Sequence, residues 1–240
     1  MAVNLKTVRS VDGDLRAIVR ARCLLCGVRG AGGTGLCEAC ASELPRNDRC
    51  CARCALPMES SAPLCGRCIR RAPPWDSAWA PFRYAWPLDR LEARFKFGGD
   101  LAAGRVLARA WCGSIAPAEL PQAIVPVPLH RSRLRSRGYN QALELAKPLS
   151  KTLRVPLLRD ALQRTRDTAA QSELTAVQRR CNVRGAFAAR FQDDPPQYVA
   201  VLDDVFTTGA TLAECARVLK RAGVKRVDVW ALARAPRGTA

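Results

Sequence analysis

The 240-residue sequence is short of acid, with 21 Asp and Glu against 39 Lys and Arg, and it holds one histidine, His130. No Gly-Lys-Ser or Gly-Lys-Thr occurs, which argues against an ATP-type phosphate loop. Met1 to Arg22 carries five Lys or Arg and lacks the apolar run that a secretion signal or a spanning helix requires. A cytoplasmic protein without a membrane span is therefore expected. In that compartment thiols stay reduced, and closely spaced cysteines read as metal ligands rather than disulfides. The shortage of acid leaves a formal net charge of +18. Such an excess points to a polyanionic partner, although a solvated cationic surface accounts for the same number.

What the sequence has in plenty is cysteine, and nine of its twelve fall in the first 70 residues. Cys23-x2-Cys26 is followed after ten residues by Cys37-x2-Cys40, and Cys51-x2-Cys54 after ten residues by Cys65-x2-Cys68. Corresponding ligands lie 28 positions apart, and Leu36 and Leu64, Pro45 and Pro73 keep the same interval. A two-residue gap lets one turn present two thiolates to one Zn²⁺, so eight ligands imply two ions. The repeat favours sequential pairing, Cys23, Cys26, Cys37 and Cys40 on one ion and Cys51, Cys54, Cys65 and Cys68 on the other. An interleaved cross-brace uses the same residues in another order. Four thiolates leave no open position for catalysis, so the zinc is expected to be structural. Cys50 is a spare beside Cys51, and Cys112, Cys181 and Cys215 read as small core residues.

The rest of the chain alternates short apolar runs with helical periodicity. Ser77 to Trp86 suits a strand that Pro81 forces to an edge or a bulge. Leu88, Leu91 and Phe95 mark a helix over about 87–96 that should stop at Gly98-Gly99, with a second over about 100–113. Ala123 to Val127 reads as a buried strand, 138–152 as a helix kinked before Pro148, and Thr175 to Gln178 as a capping box. Tyr198 to Leu202 is again a buried strand. Leu212, Cys215, Leu219 and Ala222 form the stripe of the next helix, ended by Gly223, and Val227 to Leu232 closes the sheet. The fold class is α/β, a parallel doubly wound sheet with ligands at the carboxyl ends of its strands.

Asp203 and Asp204 are expected where a strand ends, and Thr207, Thr208, Gly209, Ala210 and Thr211 form the turn into a helix. Amides at a helix N-terminus attract an anion, Gly209 permits close approach, and the Thr hydroxyls add donors. Two carboxylates would repel a phosphate but accept from vicinal sugar hydroxyls, so the segment reads as a ribose 5-phosphate cradle. Arg131, Arg133, Arg135 and Arg137 alternate, and an extended loop would aim all four guanidiniums to one side, toward a polyphosphate or a nucleic-acid backbone. Trp75, Trp79, Phe82, Tyr84 and Trp86 offer rings for base stacking, with core packing the favoured alternative. His130 is more readily a backbone cap or phosphate contact than a general base.

The run Val199 to Leu212 resembles the phosphoribosyl pyrophosphate (PRPP) motif of type I phosphoribosyltransferases. Val125 to Arg131, Arg137 to Gln141, Thr168-x2-Gln171-x2-Leu174, Asn182-x4-Phe187 and the cysteine-rich start resemble the ComF family of competence-associated proteins, from Cys23 to Arg234. The resemblance implies a zinc-ribbon module over 23–72 after an arm over 1–22, then a phosphoribosyltransferase domain over 75–235 whose hood comes from about 75–115 and 160–187. It places pyrophosphate at Leu129, His130 and Arg131, with Lys96 reaching it, and makes 131–141 a mobile catalytic loop. Asp203, Asp204 and Arg137 become the catalytic candidates, with Mg²⁺ bridging PRPP, and Arg133 and Arg135 candidates for single-stranded DNA. Tyr139 in place of a familiar Phe, and bulky Phe206 within the loop, depart from the family pattern. Three roles follow: a transferase acting on an amine or base, an adaptor handling single-stranded DNA with other competence proteins, or a PRPP sensor.

Overall fold

Two long, mostly buried strands form the centre of the α/β body. The computed structural model describes residues 22–29, 33–166 and 182–236. It comprises two compact units, one ending at Glu43 and one beginning at Leu44. The first unit contains a four-cysteine cluster and the short helix α1 (Glu38–Ser42), which begins on Cys37. The second contains another four-cysteine cluster, helix α2 (Gly66–Arg70) begun on Cys65, and the α/β body. The division falls inside the cysteine-rich segment, between its two repeats.

In the body, β1 (Ala78–Trp79), β2 (Phe82–Arg83), β3 (Ala123–Pro126), β6 (Tyr198–Phe206) and β7 (Arg226–Arg234) make one parallel sheet. Its order is β1-β7-β6-β3, with β2 also on β7. β1 and β2 are one edge strand interrupted at Ala80-Pro81, because proline has no N–H for the ladder. The segment expected to begin the hood is thus part of the main sheet. A separate antiparallel pair is formed by β4 (Leu162–Arg164) and β5 (Phe187–Ala189). Thr168, Gln171, Leu174, the Thr175 to Gln178 box, Cys181 and the arm over 1–21 lie outside the described residues.

Helices cover both faces. α3 (Leu88–Phe97) buries Leu88, Leu91 and Phe95, the stripe its periodicity prescribes, and packs on α4 (Leu101–Cys112). Asp100 starts α4 by accepting from the Ala102 and Ala103 amides, each at 3.0 Å. α5 (Arg131–Arg137) is short, and α6 (Gln141–Leu153) runs through Pro148 and packs on α4, β3 and β6. α7 (Ala210–Arg221) buries Leu212, Cys215 and Leu219 against β5, β6 and β7. β7 is buried from Val227 to Arg234, as expected of a parallel strand sandwiched between layers. Among the described residues, no helix is long and apolar enough to cross a membrane.

Candidate zinc ribbons and strand-end site

The sulfurs of Cys23, Cys26, Cys37 and Cys40 lie within 4.8 Å of one another, and so do those of Cys51, Cys54, Cys65 and Cys68. The pairing is sequential, and the interleaved alternative is excluded. Zn–S bonds of about 2.3 Å give a tetrahedron with S···S edges of about 3.8 Å. Cys26 and Cys37, and Cys54 and Cys65, have their sulfurs 3.7 Å apart, so each cluster fits a structural Zn²⁺. The Cys65 amide points at Cys51 Sγ (3.3 Å) and the Cys40 amide at Cys37 Sγ (3.5 Å), where N–H dipoles stabilise thiolate charge. Cys50 stays outside the second cluster, half-buried in a bridge to Pro57, and Cys215 is a core residue while Cys112 is half-buried.

At the carboxyl end of β6 the strand outlasts its apolar run: Asp203 pairs in register with Ala231, and Phe206 with Arg234. The two aspartates are inside the ladder rather than beyond it. Strand pleating turns neighbours to opposite faces, and the pattern here is half-buried Asp203 and Val205 against buried Asp204 and Phe206. Asp203 lines a small cavity with Val205, Phe206, Thr207 and Gly209 to Leu212; Asp204 does not. Phe206 turns its ring into the core, 2% exposed, so its bulk does not fill the loop.

Asp204 instead meets Lys96, whose Nζ lies 3.1 Å from its Oδ2. The same ammonium sits 3.4 Å from Glu92 Oε1, without hydrogen-bond geometry, and Tyr84 donates to Glu92 Oε2 at 3.4 Å. Lys96 is therefore paired with two buried acids, Asp204 and Glu92. Burial raises the Asp203 carboxyl well above the usual range, and the neighbouring Asp204 adds to this. Burial presses Asp204 upward as well, but Lys96 outweighs it and holds that group below its ordinary value. The two neighbouring carboxyls are thus shifted in opposite directions. Burial, then Asp204, pushes Glu92 up to about 7. Sequence reasoning missed Glu92, although an acid between Leu91 and Phe95 on the buried stripe signals it.

The loop after β6 is shaped for an anion. Gly209 has φ +77°, and a Cβ there would lie 2.6 Å from the Phe206 ring, so both backbone and packing demand glycine. The Ala210 amide donates to Thr208 Oγ1 at 3.3 Å, while Thr207 is exposed and Thr211 half-exposed. Those groups crown the N-terminus of the 12-residue α7, whose first-turn amides carry partial positive charge.

The arginine segment departs from expectation. Residues 131–137 are helical, not extended, so alternate arginines point about 200° apart instead of to one side. His130 explains why: its Nδ1 caps the helix by accepting from the Ser132 amide at 3.4 Å, and Gly138 ends it in the left-handed conformation. No side chain of α5 is buried; Arg135 is exposed and Arg133 half-exposed. Arg137 stacks its guanidinium 5.9 Å from the Phe97 ring centre. Tyr139 stacks on Phe95 and donates to its carbonyl, while Asn140 caps α6 and donates to Val127 O at 3.0 Å. These bonds anchor α5 beside the turn of Leu129, His130 and Arg131. Of the aromatics, Trp75 and Phe82 are buried and Trp79 packs against Trp111 and Trp230, whereas Trp86 is 62% exposed.

Residues 15–69 match the family model of the double zinc ribbon domain. Competence protein F of Haemophilus influenzae is 37% identical over 223 residues, covering 89% of this chain and 97% of that protein. DNA utilization protein YhgH of Escherichia coli is 36% identical over 221 residues, 88% of this chain and 96% of its own. Competence protein ComFC of Streptococcus pneumoniae is 26% identical over 155 residues, 65% of this chain and 67% of its own.

Proposed function

We propose, for a chain that belongs to the ComF family of competence proteins, that the carboxyl end of its sheet binds PRPP in a role tied to DNA uptake or use. The observation that carries this reading is the cavity where Asp203 meets Thr207 and Gly209 to Thr211 at the start of α7. A ribose hydroxyl would donate to Asp203, and the α7 amides with the hydroxyls of Thr207, Thr208 and Thr211 would take the 5-phosphate. Asp204 acts from behind, its charge held by Lys96. Leu129, His130 and Arg131 border the pyrophosphate side, with Arg137 in the same short helix's last turn. Mg²⁺ held with PRPP near Asp203 would supply charge neutralisation as the C1–O bond to pyrophosphate breaks, a C1–N bond to an amine or ring nitrogen forms and that nitrogen's proton passes to solvent.

Calorimetric titration with PRPP and Mg²⁺, followed by a screen for pyrophosphate release over amines and bases, tests this. Binding with release is the transferase outcome, and binding without release makes the protein a sensor. No binding refutes the reading.

A second reading, a DNA-handling adaptor, is favoured by α5. Its four arginines, without an acid among them, suit a phosphate backbone, and Phe97 beside Arg137 is 71% exposed. Single-stranded DNA should then bind with little sequence preference and a steep salt dependence.

A further inference from the structure

Four successive carbonyls of the second zinc knuckle are each read by the body. Ala52 O accepts from the Ala78 amide (3.1 Å), Arg53 O from Trp75 Nε1 (2.6 Å), Cys54 O from Arg234 Nε (3.0 Å) and Ala55 O from Asn47 Nδ2 (2.9 Å). Two of these donors continue to the strand-end loop. Arg234 also donates through NH1 to Phe206 O (2.7 Å) and Thr207 O (2.6 Å), and its guanidinium lies 4.3 Å from the Phe206 ring centre. Trp75 meets that ring edge-on at 5.5 Å, and its Cη2 would lie 3.0 Å from any Cβ at Gly209. Both side chains are nearly inaccessible, 5% exposed for Trp75 and 4% for Arg234. A buried guanidinium shared between a knuckle carbonyl and two loop carbonyls satisfies all three only while the knuckle keeps its zinc-bound shape.

We propose that Arg234 and Trp75 are positioning residues that couple zinc occupancy of Cys51, Cys54, Cys65 and Cys68 to the shape of the loop from Phe206 to Thr211, and so to its affinity for PRPP. The ligand half rests on the PRPP reading above; the link from zinc to loop does not. The knuckle fixes where Trp75 and Arg234 stand, and they fix the last carbonyls before Gly209. Coupling between two binding sites is reciprocal, so bound PRPP must hold this zinc as firmly as the zinc holds PRPP.

The test follows zinc release from the full chain into a chromogenic chelator, with and without PRPP and Mg²⁺, together with hydrogen exchange of the Thr207 to Thr211 amides. Cys26→Ser with Cys37→Ser removes the first site, so that the remaining signal is the second zinc. Saturating PRPP should slow its release about fivefold or more, the lower end of ordinary coupling between sites. Stripping it should speed exchange of the loop amides. Arg234→Ala, and the milder Trp75→Phe that deletes the bond to Arg53 and shortens the ring packed against Phe206 and Gly209, should nearly abolish both effects while zinc still binds. Equal release with and without bound PRPP, or undiminished linkage in both variants, overturns the proposal. If PRPP fails to bind, loop exchange decides alone. Zinc-dependent exchange that fades in the variants upholds the coupling and removes the PRPP reading, whereas zinc-independent exchange overturns the coupling.

Discussion

The two zinc ribbons share ligand spacing, sulfur geometry and a short helix begun on the third ligand, and the second belongs to the same compact unit as the α/β body while the first belongs to another. The first belongs to the unit that ends at Glu43, with Cys26 exposed and Cys37 half-buried. All four ligands of the second are buried, and its knuckle carbonyls serve Ala78, Trp75, Arg234 and Asn47. A 28-residue repeat therefore produces two equal metal sites with unequal consequences. Ligand geometry is local, so a repeat reproduces it; integration depends on what the surrounding chain supplies, and only the second copy runs directly into β1 and β2.

The strongest way to break this comparison is to remove one ligand from each ribbon. Cys54→Ser should lower the main calorimetric transition by roughly 10 °C or more, because structural zinc contributes much of a small module's folding energy and here that module supports a sheet. Cys26→Ser should leave the main transition nearly in place while one zinc is lost from elemental analysis. Equal effects of the two would end the distinction.

The same contrast between a committed and an open element recurs on the two faces of β6. Asp204→Asn strips Lys96 of its nearer buried charged partner and should cost about 3 kcal/mol in denaturant unfolding. Asp203→Asn should leave unfolding nearly unchanged but weaken PRPP in calorimetry several-fold, since a hydrogen bond between uncharged groups contributes about 0.5 to 1.5 kcal/mol. Thr207 and Thr211 should behave like Asp203, with smaller losses.

Glu92 gives a pH test of the committed face. Its folded value, about 7, lies above the ordinary 4.5, so the folded chain holds a proton that the unfolded chain releases. That contribution is complete below the unfolded value and disappears as pH rises through about 7, amounting to at most about 3 kcal/mol. Chemical denaturation across this window should show the decline in the native chain and a flatter profile in Glu92→Gln. The smallest effect belongs to the open surface of α5, where Arg135→Ala should reduce the salt slope of single-stranded DNA binding by about one without altering stability.

How much was legible follows from the range of the forces involved. Cysteine spacing set the two metal sites, Leu88, Leu91 and Phe95 set the buried face of α3, and Pro81 set the break in the edge strand. Each is a consequence of local chain geometry, and each can be read along the sequence. The alternating arginines misled because alternation prescribes a side only in extended backbone, and the His130 cap with Gly138 made that segment a helix. The adjacent aspartates looked equivalent because one-residue spacing does not say which face of a strand will be covered. That choice belonged to α3, which brings Lys96 to Asp204 from more than a hundred residues away. Nothing near Arg234 marks it as the link between a zinc knuckle and the strand-end loop. By itself the sequence determined the metal ligands, most of the strand and helix pattern and the glycine turn into α7, since these depend on neighbours in the chain. Tertiary structure decided which carboxylate is open, which lysine is committed and which ribbon supports the sheet, because burial and buried charge pairing arise only when distant segments exclude water together.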